Sequence, residues 1–214
     1  MAELAFYASV CEGDNGYRMR RTKQDTAETI HKLLEVARQH FTRHGYADGS
    51  LEDIAKDAEV TRGAVYHHFG SKKGLFLAVL ELVQSEVAQR LEEEAARSED
   101  LWEQLYLGCR AFVIVATEPS NRRIMLIDGP AVLGWEEWRQ LDEQQSMRQL
   151  HEQLDIMQRQ GYLKGIRLEA ATHLLSGAMN EAALWLAQMT DPDEAEQTLE
   201  DCLQTLRRLL DGIR

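Results

Sequence analysis

Four residues within the stretch 62–67 are suited to reading DNA: Arg62, Gly63, Tyr66 and His67. An arginine can donate two parallel hydrogen bonds to guanine O6 and N7. A glycine has no side chain, so a helix carrying it can lie close against the duplex. The Tyr66 hydroxyl and Thr61 suit phosphate oxygens, contacts that fix position rather than sequence. Lys72 and Lys73 follow Ser71, where a helix N-terminus and two cations can converge on one phosphate. Ser50 and Ala64 complete the expected DNA-facing set.

These groups act together only if helices hold them in register. The run from Ser50 to Leu75 reads SLEDIAKDAEVTRGAVYHHFGSKKGL. Ser50 and Asp53 have the spacing of a capping box, so a helix is expected from about Leu51. Leu51, Ile54, Ala55 and Ala58 form its apolar stripe. Glu59 and Val60 make a turn, and Thr61 can cap the next helix. At about 100° per residue, Arg62, Gly63, Tyr66 and His67 share an arc of roughly 140°, with Val65, His68 and Phe69 opposite. Gly70 ends that helix and Ser71 caps the next. This is the layout of a helix-turn-helix with a recognition helix for the major groove.

The stretch closely resembles the DNA-binding domain of the tetracycline-repressor (TetR) family. The matching residues are Ile30, Ala37, Phe41, Gly45-Tyr46, Asp53-Ile54-Ala55, Ala58, Val60-Thr61, Gly63, Tyr66-His67-His68-Phe69, Lys72 and Leu75, spanning roughly residues 24–77. Two positions depart from the pattern: Gly49 stands where the family often has threonine, and Glu59 where it usually has glycine. The resemblance implies an all-helical homodimer that represses transcription. It also implies release of DNA when a small molecule binds the larger C-terminal domain.

Composition agrees with an all-α chain. Among 214 residues there are only three prolines, and Ala, Leu, Glu and Gln abound. No run of about 18 apolar residues marks a membrane span, and the N-terminus has no basic segment leading into an apolar run, so no secretory signal is expected. Cys11, Cys109 and Cys202 are odd in number and far apart. They suit a reducing, cytoplasmic setting rather than disulfides or zinc. The net charge of −12 looks wrong for a nucleic-acid partner, but residues 20–75 carry ten Lys and Arg against eight Asp and Glu, a charge of +2. The acid lies beyond, in 76–214.

Three regions are expected. Residues 1–18 have no clean period and read as an extension, with Met19 a second candidate start; Arg20, Arg21 and Lys23 could form a basic arm. Residues 19–71 are the helix-turn-helix domain, with three helices, and 72–214 a helical ligand-binding and dimerisation domain. Asp25 with Glu28 is expected to cap the first helix, which stops at His44 before Gly45. A long helix follows over Lys72–Ala96, then one from Ser98 to Thr117, a short one from Pro119 ending near Asp128-Gly129-Pro130, and a long one over 134–160. The last two helices span about 167–190 and 192–212, the latter opened by Asp191-Pro192.

The last pair is the expected dimer interface. Ala171, Leu175, Ala178 and Ala182 keep one helix surface compact, and Leu199, Leu203, Leu206 and Leu210 stripe the other. Two such pairs make a four-helix bundle, although the same faces could pack within one subunit. The expected pocket takes large or adaptable residues on the intervening helices: Tyr106, Arg110, Phe112, Met125, Trp135, Trp138, His173 and Met179, with Asn180 and Glu181 as further polar groups.

Catalytic patterns are poor. His151-Glu152 is followed by Asp155 and not by the second histidine of a zinc-protease helix. His40 and His44 are four apart but sit near a helix C-terminus, where solvated histidines are favoured. No metal, cofactor or enzymatic activity is expected. The partners expected are a pseudo-palindromic DNA duplex, an unidentified small-molecule effector and a second copy of the chain, with no membrane. A helical module binding a protein partner, or an all-α small-molecule enzyme, stays open on the residues alone.

Overall fold

The computed structural model describes Lys23 to Arg214, with side chains from Thr26 onward. The expected extension over 1–18 and Arg20 and Arg21 lie outside the described residues, as do the side chains of Lys23 and Asp25. Every regular element among the described residues is helical. The chain divides into two units, one reaching Leu80 and the other covering Glu81–Arg214. The division falls inside a helix, after the residue 72 boundary expected from sequence.

In the first unit, α1 covers Lys23–Asp48. Asp25 lies within the helix and does not precede it. The helical path is interrupted at Gly45, with φ 76° and ψ 174°. Side-chain-bearing residues avoid that region, and a glycine there bends the chain toward α2, Leu51–Asp57. The Ser50 hydroxyl accepts from the Asp53 amide at 3.2 Å. The turn that follows holds Glu59 at φ 60°, a conformation that ordinarily favours glycine. The Lys32 side chain of α1 forms an ion pair with Glu59, and that hydrogen bond and charge hold its carboxyl below the usual range. The acid at a glycine position therefore has a local partner.

Helix α3, Arg62–Phe69, is capped by Thr61, whose hydroxyl accepts from the Ala64 amide at 3.1 Å. Helix α4, Lys72–Ala95, follows, with Ser71 accepting from the Gly74 amide at 3.0 Å. Phe41, Ile54, Val65 and Phe76 are buried between these helices. The Phe76 ring meets Phe41 edge-on at 5.3 Å and Tyr46 at 5.2 Å.

The second unit takes the rest of α4, whose Leu82, Val83 and Val87 are buried as its period requires. Helix α5, Leu101–Thr117, starts after the expected Ser98 and is capped by Asp100, whose carboxylate accepts from the Glu103 amide at 2.8 Å. The short helix expected after Pro119 does not end at Pro130. It runs as α6 (Pro119–Arg122), a π-helical segment (Arg123–Asp128) and α7 (Gly129–Leu133), with Pro130 in the first turn of α7. A proline is tolerated there because its missing N–H would have no partner in any case.

The long helix expected over 134–160 is two helices: α8, Trp135–Gln144, and α9, Ser146–Arg159, broken at Gln145 (φ −118°, ψ −98°). The local residues are good helix formers, so the break has a tertiary cause. Arg139 pairs with Asp142 and donates to the Ser176 hydroxyl at 3.0 and 3.1 Å. Asn180 donates to Asp142 at 2.9 Å. This buried polar knot ties the end of α8 to α10, Leu168–Ala187. Helix α11, Pro192–Gly212, starts as the sequence indicates: Asp191 accepts from the amides of Asp193 at 2.9 Å and Glu194 at 3.3 Å. Helices α9, α10 and α11 all pack on α5.

Gly45→Ala places a β-carbon where the backbone requires positive φ. The variant should lose about 1–3 kcal/mol of stability, read as a lower urea midpoint with unchanged slope.

Candidate nucleic-acid interface and cavity

Helix α3 separates its two faces sharply. Val65 is 1% exposed and docks the helix onto the first unit, while Thr61, Arg62, Gly63 and His67 are exposed and Tyr66 is 40% exposed. Ala64 and Ser50 are half-buried and Lys73 is exposed. The Arg62 guanidinium forms an ion pair with Glu52 of α2, donates to the Tyr66 hydroxyl at 3.3 Å and lies 5.3 Å from that ring's centre. The Tyr66 hydrogen bond and the Glu52 charge raise its already high pKa, so it is a permanent cation with a fixed base. Glu52 was not legible as a functional residue: an acid in the first turn of a helix is ordinary.

Lys72 is placed differently from Lys73. Its ammonium donates to the Ala47 carbonyl at 2.9 Å and sits 4.7 Å above the Tyr46 ring. It thereby ties α4 to the end of α1. A tight approach accompanies it: a β-carbon on Gly74 would lie 2.0 Å from the Phe69 carbonyl oxygen. Only glycine lets the chain turn from α3 into α4 at this point. The arrangement presents a short helix with one guanidinium, one phenol, one imidazole and a bare backbone facing outward, flanked by helix N-termini.

The second unit holds a partly open cavity of about 320 Å³ bounded by α4, α5, α8, α9 and α10. Of the eight residues nominated from sequence, Phe112 and Met179 line it, beside Leu91, Leu105, Cys109 and Met147. His173 lines a separate depression of about 280 Å³ with His151, Glu143, Arg148 and Glu169. Trp138 and Met125 are core: the Trp138 indole donates to the Met125 carbonyl at 2.7 Å. Trp135 is 61% exposed and lies against Trp138 with ring centres 5.0 Å apart and planes tilted by 44°. Tyr106 lies under the Arg207 guanidinium at 4.3 Å. Arg110 is half-buried and is not among the cavity's lining residues. The sequence missed the lining's polar part, Gln104, Gln149 and Gln153 with Asp142 and Ser176. On a helix, glutamine carries no signal of which way it faces.

Burial pushes the Asp142 carboxyl up, against the opposing effects of the Asn180 hydrogen bond and the Arg139 charge. The Cys109 thiol is fully buried and is pushed up to about 12, which makes it an inert wall and a poor nucleophile. His151 meets the Thr172 hydroxyl at 3.4 Å, and His40 pairs with Asp57 at 2.8 Å. Among the described residues no group of three His, Cys, Asp or Glu is placed to hold a metal ion.

The two last helices need a correction. Ala171, Leu203, Leu206 and Leu210 are buried inside one subunit, so this part of the expected dimer stripe is core. The α11 period marks an apolar face, and α5 already covers it. Leu175, Ala182 and Leu199 are half-buried and Ala178 is exposed. The apolar surface left outside consists of Leu174 (74% exposed) and Trp185 (52%) with Ala178 on α10, and Leu209 (56%) on α11.

Comparison with known proteins agrees with this geometry. The profile described as bacterial regulatory proteins, tetR family, matches residues 33–79, and that of the tetracyclin repressor-like C-terminal domain matches 102–213. The HTH-type transcriptional regulator AcrR of Shigella flexneri is 44% identical over 77 residues, 36% of either chain. The HTH-type transcriptional repressor BepR of Brucella suis is 44% identical over 62 residues, 29% of this chain and 30% of the relative. The chain thus spans about a third of these relatives' lengths. A TetR-family transcriptional regulator from Pectobacterium atrosepticum superposes with a TM-score of 0.75 at 37% identity, over 90% of this chain and 97% of that one. The transcriptional regulator FadR of Bacillus subtilis, solved with stearoyl-CoA, shares the fold at a TM-score of 0.63 and 18% identity, over 84% and 96%.

The Cys109 environment has a direct consequence. At pH 8 about one thiol in 10⁴ would be ionised. Iodoacetamide should therefore modify the half-exposed Cys202 in the native protein and reach Cys109 only after denaturation, as peptide mass mapping will show.

Proposed function

The chain belongs to the tetR family of bacterial regulatory proteins, and on that premise we propose that it is a homodimeric, sequence-specific repressor whose hold on an operator is released by a small molecule. The observation that carries this reading is the outward face of α3, anchored by Val65 and oriented by the Thr61 cap. Arg62 and His67 contact base edges. Thr61, Tyr66, Ser50 and Lys73 contact phosphates, and Lys72 joins them by giving up Ala47. Gly63 and Ala64 let the backbone come close. The small positive charge of residues 20–75 makes non-specific binding weak and salt-sensitive, so specific contacts from two heads supply most of the affinity. Such a regulator acts in the cytoplasm, where its operator is. No helix among the described residues is long and apolar enough to cross a membrane.

A second copy packs against the exposed Leu174, Ala178, Trp185 and Leu209 face. A two-fold dimer matches a pseudo-palindromic site. The effector occupies the 320 Å³ cavity. Helix α4 contributes both Lys72 and the lining residues Leu91, Glu92 and Ala95, so an occupant that displaces α4 alters the spacing of the two recognition helices. Linkage then requires operator DNA to weaken effector binding by the factor that effector weakens DNA binding.

Arg62→Ala should lower operator affinity about ten- to a hundredfold and flatten preference at one base pair, while affinity for a random duplex changes little. Fluorescence anisotropy with single-substituted operators measures both. An unchanged preference would mean that α3 does not read the sequence.

Leu174→Lys combined with Leu209→Lys should give a folded monomer, because both side chains are exposed in one subunit. Sedimentation velocity should report half the wild-type mass with the helical circular dichroism retained. A wild-type protein that is monomeric at micromolar concentration would overturn the assembly.

A further inference from the structure

We infer that Glu52 is a positioning residue for base reading: its carboxylate stays on Arg62 in the DNA complex and turns the free edge of the guanidinium toward one guanine. The inference rests on the reading of α3 as the recognition helix. It starts from a chain of contacts that runs from the cap of α2 to the middle of α3. The Ser50 oxygen accepts from the Asp53 amide at 3.2 Å, and its hydroxyl donates to Glu52 Oε2 over a long 3.5 Å. Glu52 Oε1 pairs with Arg62 Nη1. Arg62 Nη2 donates to the Tyr66 hydroxyl at 3.3 Å, and the guanidinium carbon lies 5.3 Å from the centre of that ring. Each carboxylate oxygen and each terminal guanidinium nitrogen therefore has a partner.

None of these contacts has to break when Arg62 reads a base. A guanidinium has five N–H groups; Glu52 and Tyr66 take one each, three remain, and guanine O6 and N7 need two. The Tyr66 oxygen accepts from Arg62 and keeps its own proton for a phosphate oxygen. A phosphate offers Arg62 less than a guanine does. Moving the guanidinium from Glu52 to the DNA backbone exchanges one anion for another, cheaply but with little gain, and leaves a bare carboxylate beside the phosphates. Arg62 is also the one permanently charged side chain of α3, whose sequence is RGAVYHHF. With Glu52 on it, the helix is close to neutral toward any backbone, while its hydrogen-bonding edge stays aimed at the bases. Glu52 thus strengthens the response to one sequence and weakens the response to the rest.

The test uses the full chain and a pool of random-sequence duplexes. Selection on the wild type yields a preferred duplex, and fluorescence anisotropy then compares it, its single-substituted versions and a random duplex. The wild type should select a guanine at the base pair whose preference Arg62→Ala flattens. Glu52→Gln keeps the size of the side chain and removes its charge. It should weaken preference at that same base pair about three- to fivefold, the weight of an exposed ion pair. Affinity for the random duplex should rise, and its salt dependence steepen by about one, because the freed arginine reaches one more phosphate. In the Arg62→Ala background, Glu52→Gln should leave base preference unchanged. A role confined to holding α2 together would lower affinity for all sequences alike, with preference and salt slope intact, and would overturn the inference. Preference lost at a different base pair would also overturn it, by making Glu52 a base contact in its own right. A guanine lost in Arg62→Ala but fully kept in Glu52→Gln removes the inference alone. A wild type that selects no sequence removes both the inference and the reading of α3.

Discussion

A helix end exposes backbone N–H groups that must find acceptors, and that requirement sets where the outward residues of α3 point. Helix α3 is two turns long and too short to be stable by itself. It exists because the Thr61 hydroxyl satisfies one end and Val65 buries one face. Shift the cap by one residue and the outward set rotates by about 100°, which would turn Arg62 and His67 away and bring the docking face out. Ser50 does the same for α2, and so sets where Glu52 stands relative to Arg62. The outward face of α3 is thus set by two capping hydroxyls, and the groups proposed to contact bases inherit their positions.

That dependence explains which parts of the fold were legible. Caps made by Ser50, Thr61, Ser71 and Asp191 are side-chain chemistry local in sequence, and the helices they open begin where expected. Helix α5 begins at Leu101 and not at Ser98, because the Asp100 carboxylate accepts the Glu103 amide while Ser98 accepts that of Asp100. The break at Gln145 was not legible at all. Its cause lies in Ser176 and Asn180, more than thirty positions away, and such contacts override good local helix formers. The leucines of α11 show a different limit. Periodicity identifies an apolar face, but it cannot say whether the same subunit or another covers it. Trp135 and Trp138 make the same point: one contacting pair contains an exposed ring and a buried one.

The electrostatics of the reading face are economical. Arg62 and Glu52 are both more than half exposed, and such pairs contribute little to stability. The pair can therefore be exchanged for a base or phosphate contact at little cost. What it supplies is order, because a guanidinium held against Tyr66 has fewer conformations to lose on binding. The same reasoning applies to Lys72 over Tyr46. A chain with net charge −12 cannot rely on bulk attraction to DNA, so prepositioned cations are worth more to it than extra ones.

The walls of the cavity differ in what holds them. On the α8 and α10 side, Arg139, Asp142, Asn180 and Ser176 form a buried, mutually satisfied set. Breaking any member strands a buried charge or dipole, which makes the set all-or-nothing. On the α4 side, the ties include the Gln149 amide on the Ala88 carbonyl and a bidentate pair between Arg90 and Glu118 at 2.6 and 2.8 Å. That pair is partly exposed, so water replaces it at small cost. An occupant that needs more room than the cavity holds will displace the wall that resists least. The Arg90–Glu118 tie of α4 is more exposed than the set on the opposite wall, and α4 is the helix that continues to Lys72 and the turn at Gly74. The difference between the two walls, rather than the shape of the cavity alone, would therefore give an occupant's size a direction in which to act.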